Sequence, residues 1–171
     1  MATPTMPYRR RWCRLALAAG VAVSLPFVSE SPMAGSALQH TIEIRQAQSG
    51  FAGVTGKIWT VEPSGAWRVQ SFMNDRIEPA AHSGQLEPGQ LATLAAGLEQ
   101  LNLPDLPSRL GEPPPVNPST VTISYGGTQV TAVIEPGTED ALARPPAASP
   151  PDDVMGRVVH FAQQVRAATD D

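Results

Sequence analysis

A chain of 171 residues with a single cysteine and a formal net charge of −4 is long enough for one domain with its own core and cannot be held by disulfides. The acidic balance excludes a nucleic-acid partner, because gripping phosphates requires a basic patch. Arginine far outnumbers lysine and alanine, proline and glycine are abundant, a composition that suggests a GC-rich bacterial genome.

Residues 1–37 read as a signal peptide. Arg9, Arg10, Arg11 and Arg14 precede an apolar run over residues 15–28 that is interrupted only by Gly20, Ser24 and Pro26. Ala34-Gly35-Ser36-Ala37 then supplies the small residues a signal peptidase accepts. The run falls short of the roughly 20 apolar residues of a membrane span, so a retained N-terminal anchor is the weakest reading. Arg9-Arg10-Arg11-Trp12-Cys13-Arg14 resembles a twin-arginine signal, although Tyr8 and Cys13 replace the usual small polar residue and leucine. Twin-arginine export and ordinary secretion both stay open. Cys13 precedes the apolar run, whereas lipid attachment needs a cysteine directly after it.

Cleavage near Ala37 leaves a single domain, residues 38–171, with eight basic and fifteen acidic side chains and no cysteine. Such a domain is expected in the periplasm or outside the cell, without stable membrane insertion. It has no thiol for catalysis or metal binding.

Along this domain, Thr41-Ile42-Glu43-Ile44-Arg45 alternates as a half-buried strand does, and Gln48-Ser49-Gly50-Phe51-Ala52-Gly53 follows as a loop with glycines around an aromatic. Lys57-Ile58-Trp59-Thr60-Val61 and Trp67-Arg68-Val69-Gln70-Ser71-Phe72 form a hairpin about the turn Pro63-Ser64-Gly65, with Trp59 and Val61 facing Trp67 and Val69. Residues 74–85 are polar and without pattern. A helix opens at Glu87-Pro88 and carries the stripe Leu91, Leu94, Ala95, Leu98 and Leu101, ending before Leu103-Pro104. Gly97 inside it costs about 1 kcal/mol of helix propensity, so packing has to sustain this helix.

Residues 112–118, with Pro113-Pro114-Pro115, form a stiff connector. Val121, Ile123 and Tyr125, then Val130, Ala132 and Ile134, make a second hairpin about Gly126-Gly127. Residues 136–151 form a Pro/Ala-rich surface loop. Asp152 and Asp153 open a last helix with the stripe Val154, Val158, Phe161 and Val165, and Thr169-Asp170-Asp171 is expected to fray. The order of elements predicts an α+β fold: an antiparallel sheet of about five strands with two helices packed on one face.

The residues assemble no catalytic set, and the expectation is a protein that is not an enzyme and uses no cofactor and no metal. His40, His82 and His160 lack metal-ligand spacing. His160 falls at the edge of the last helix, and His40 lies in a frayed segment. His82 with Asp75 or Glu78 offers a loop metal site that is better explained as a solvated polar loop. Asp152/Asp153 and Glu139/Asp140 read as capping and solubilising carboxylates. No phosphate loop or G-x-S-x-G elbow is present.

The segment with the strongest claim to function is Ser49, Gly50, Phe51, Ala52 and Gly53. Either Phe51 is an exposed hydrophobic anchor for a partner, or it turns inward and plugs the sheet. Residue type alone leaves both open.

Ser49-Gly50-Phe51-Ala52-Gly53 resembles the S-G-G-F-A-G stretch of the emfourin-like proteins, small inhibitors of thermolysin-type metalloproteases. The order of a hairpin, a leucine-striped helix with Leu-Pro exits, two more strands and a closing helix is similar too, over about residues 40–167. This chain has one glycine before Phe51 rather than two, and it carries the export leader and the Pro/Ala insert. The resemblance implies a cofactor-free inhibitor that blocks a protein partner, a thermolysin-type protease, through surface loops. The alternative is a non-enzymatic interaction protein of the cell envelope, marked by an uncovered sheet face bearing Trp59 and Trp67.

Overall fold

Alternation of apolar and polar side chains places one side of every central strand in the core. The computed structural model describes residues 38–112, 116–134 and 142–170. The leader, residues 113–115 of the connector and residues 135–141 of the Pro/Ala loop lie outside the described residues. β1 (Ile42–Gly50), β2 (Gly53–Val61), β3 (Ala66–Met73) and β4 (Arg76–Gln85) form an antiparallel meander. Helix α1 (Pro88–Leu101), a 3-10 turn at Leu103–Asp105 and the short β5 (Arg109–Leu110) follow. The hairpin β6 (Ser119–Tyr125) and β7 (Thr128–Ile134) and the helix α2 (Val154–Thr169) complete the fold.

The result is an α+β fold with one seven-stranded sheet in the order β4-β3-β2-β1-β6-β7-β5. The sheet is mixed, because β5 runs parallel to β7 while the other pairs are antiparallel. The expectation of about five antiparallel strands is corrected by two additions. β5, only two residues long, is below the length at which a periodic pattern exists. β4 occupies the segment expected to be irregular. All ten of its residues are exposed, so it lacks the in-out burial that reveals a strand. Backbone pairing with β3 makes it a strand, and two register shifts absorb extra residues, one at Ala81 and one near Pro79.

The predicted pairing of the tryptophan hairpin is found, with Val61 opposite Trp67 and Trp59 opposite Val69. In register with them are Ile42 and Ile44 of β1 and Ile123 of β6, and Val121, opposite Gln46, lies on the same face. These residues share one cluster with Leu94, Ala95, Leu98 and Leu101 of α1 and Val158, Phe161, Ala162 and Val165 of α2. Burying such side chains is worth about 1.5–3 kcal/mol each, the main force holding the helices to the sheet. The face bearing Trp59 and Trp67 is therefore covered, both side chains being buried.

The helix ends are satisfied locally. Glu87 and Gln90 form a capping box at α1, and Asn102 closes that helix in the left-handed conformation. Asp153 caps α2, its carboxylate accepting the Gly156 N–H at 2.6 Å. Thr169, expected in a frayed tail, is buried and donates its hydroxyl to the Val165 carbonyl at 3.0 Å, so α2 is intact to that residue.

Candidate interaction site

The core occupies only half the length of the meander. In β1 no residue beyond Ile44 is buried, and in β2 none before Ile58. At about 3.3 Å per residue, the remaining six residues of β1 extend roughly 20 Å beyond Ile44, although on the β6 side burial continues through Val121 and Ser119, opposite Gln46 and Gln48. The β1–β2 turn, the β3–β4 turn and the residues leading into β6 all lie at this end, since Gln48 pairs with both Thr55 and Ser119, and Thr55 with Met73.

The segment 48–53 is a hairpin tip. β1 runs to Gly50, which pairs with Gly53, and Phe51-Ala52 is the whole turn. The six-residue loop of the sequence reading is thus shorter than expected, because glycine at both flanks continues the ladder without needing a side chain to pack. Phe51 is fully exposed, at 110% of its reference accessible area, and does not plug the sheet.

Asn74, which carries no local sequence signal, fixes this tip. Asn74 sits in the β3–β4 turn with φ of 54°, a left-handed conformation that asparagine tolerates. Its Oδ1 accepts the Val54 N–H at 2.9 Å, and its own N–H donates to the Val54 carbonyl at 2.6 Å. The two hairpin tips are latched together through this one residue. Gly53, at φ of 102°, makes the latch possible, since any side chain there would overlap the Asn74 carboxamide. On the other flank the Ser49 N–H donates to the Pro118 carbonyl at 3.0 Å. A shallow depression of about 270 Å³ lies between Phe51 and Asn117.

The surroundings of the tip are apolar. Among the described residues the exposed large hydrophobics are Phe51, Val54, Met73, Ile77 and Val116, and all five belong to this end. Behind them Phe72 is buried on the sheet face away from the helices, with the Arg45 guanidinium stacked 3.9 Å from its ring centroid. Phe72 also covers its cross-strand partner Gly56, where no Cβ would fit. Lys57 is exposed nearby, and Arg76 pairs with Glu78 at 3.2 Å.

The other candidates fall elsewhere. His82 lies on β4 opposite Val69, and Glu78 is engaged by Arg76. Among the described residues no group of three or more His, Cys, Asp or Glu side chains comes together as a metal site. His160 is buried rather than at a helix edge, with Gln164 at 3.1 Å from its Nε2. His40, expected to fray, packs edge-on against Tyr125 with ring centroids 5.5 Å apart. It borders a cleft of about 470 Å³ at the opposite end of the sheet, walled by Leu98, Asn102 and Leu103. That volume suits a small ligand, and the lining also includes Gln39, Glu99, Tyr125 and Thr128; the Tyr125 hydroxyl already accepts the Gln39 N–H and the Asn102 side chain is engaged by Asp105. Glu139 and Asp140 lie outside the described residues. Among the described residues no helix is long and apolar enough to cross a membrane.

No protein-family model matches this chain, and no curated protein matches it at a significant level.

Proposed function

We propose that the protein is an exported binding protein that inhibits a thermolysin-type metalloprotease, with Ser49, Gly50, Phe51, Ala52 and Gly53 as its contact segment. The observation that carries this reading is the full exposure of Phe51 on a two-residue turn whose geometry is held by Gly53 and Asn74. An exposed aromatic side chain on a preorganised turn contributes nothing to the core and is suited to a complex, where aromatic anchors dominate the binding energy and a rigid turn loses little entropy on binding. The likeness of Ser49-Gly50-Phe51-Ala52-Gly53 to the emfourin-like segment supplies the partner class.

The experiment is titration of thermolysin with the purified protein and with Phe51→Ala. Dose-dependent inhibition is expected, weakened at least 30-fold in the variant, which corresponds to a hot spot of about 2 kcal/mol. The melting temperature of Phe51→Ala should match the parent, because the ring touches no core residue. An inert parent protein would discard the inhibitor reading and favour the alternative, an interaction protein of the cell envelope.

A further inference from the structure

The charges of the projecting end differ in sign from those of the body. Residues 45–57 and 70–80 carry Arg45, Lys57 and Arg76 against Asp75 and Glu78. The rest of residues 38–171 carries five cations against thirteen carboxylates. Lys57 and Arg76 are exposed on the two hairpins that Asn74 holds as one unit, Arg76 paired with Glu78, while Arg45 is half-buried against Phe72. Resting on the inhibitor reading above, we infer that the recognition surface is composite. Met73 and Ile77 of the second hairpin bind alongside Phe51, and the partner is a protein presenting an apolar cleft with an acidic rim.

Three features favour such a partner. Val54, Met73 and Ile77 stand within one or two ladder positions of Asn74, Met73 on the helix-side face of the sheet and Val54 and Ile77 on the other, so a cleft that grips the tip from both sides meets all three. Apolar residues at the centre with charges around them are the usual make-up of a heterologous interface. Complementary charge speeds the encounter and orients it: the basic end is drawn to an acidic rim and the acidic body is turned away. A second copy docking tip to tip would set Lys57 and Arg76 of the two chains near their own equivalents, which is repulsive. An anionic lipid surface would repel the acidic body and would leave Asn74 and Asp75 facing hydrocarbon.

The test uses thermolysin as probe with three proteins besides the parent: Phe51→Ala, the double variant Met73→Ser/Ile77→Ser, and the double variant Lys57→Glu/Arg76→Glu. The four substituted positions of the double variants are exposed, and thermal melting verifies that each variant folds. The Met73/Ile77 variant is expected to raise the inhibition constant at least tenfold. The charge reversal is expected to slow association severalfold at low salt and to lose that effect at 0.5 M salt. If the parent inhibits and Phe51→Ala does not, while both double variants stay within twofold of the parent, the first hairpin acts alone. The composite surface is then wrong and the inhibitor reading stands. A parent that leaves thermolysin untouched overturns both, and binding to anionic phospholipid vesicles by that parent would assign the end to a lipid surface instead.

Discussion

Gly50 and Gly53 flank the same turn and are not equivalent. Gly53 has φ of 102° and no room for a Cβ beside Asn74, whereas nothing lies within 4 Å of the position a Cβ would take at Gly50. Gly53→Ala is expected to cost about 1–3 kcal/mol through backbone strain and loss of the Asn74 latch. Gly50→Ala should be near neutral. Urea unfolding of the two variants measures the difference, and equal stabilities would show that the latch holds nothing. The sequence exposed both glycines and the aromatic between them, but Asn74 lies more than twenty residues downstream of Gly53, in a stretch read as featureless. Its importance comes from a contact, and a single asparagine in a polar segment gives no local sign of one.

At the scale of elements, α1 tolerates Gly97 because α2 passes close by. A Cβ at Gly97 would approach the Phe161 ring to 3.2 Å and the Gln164 Oε1 to 2.8 Å. Glycine at this position lowers helix propensity, and the helix crossing explains why that cost is borne. Gly97→Ala balances about 1 kcal/mol of propensity against that crowding. Gly97→Val, larger and β-branched, should overpack the crossing and destabilise by about 1–3 kcal/mol. Equilibrium denaturation checks this, and an unchanged midpoint would mean that the two helices separate without penalty. The helices themselves were legible: stripes at 3.6-residue spacing, Pro88 at the start of one and Asp153 before the other mark both. β4 was not, because an edge strand exposed along its whole length carries neither alternation nor a run of β-branched residues.

For the molecule as a whole, stability is divided unequally along the sheet. One end carries the buried cluster shared with α1 and α2, and toward the other end β1 beyond Ile44 and β2 before Ile58 have no buried residue. Opening of the projecting half exposes little apolar surface, so its amides should exchange with solvent faster than those at the core end. Hydrogen exchange is expected to be rapid over residues 46–56 and 73–80 and slow over residues 58–61 and 121–133. Uniform protection along β1 and β2 would contradict a division of this kind. A projection that carries the exposed aromatic while the core lies elsewhere also lets binding residues change with little effect on folding.

The sequence by itself determined the α+β class, the two helices, the tryptophan hairpin and the Gly126-Gly127 hairpin, because each is encoded in periodicity and turn chemistry within a few neighbouring residues. It also singled out Phe51 with its glycines. Only the tertiary structure decided that Phe51 faces solvent, that β4 and β5 extend the sheet to seven strands, and that Phe51, Met73, Ile77 and Val116 come to one end. These depend on where strands far apart in the chain come into register, and the free energy that fixes that register belongs to the assembled core.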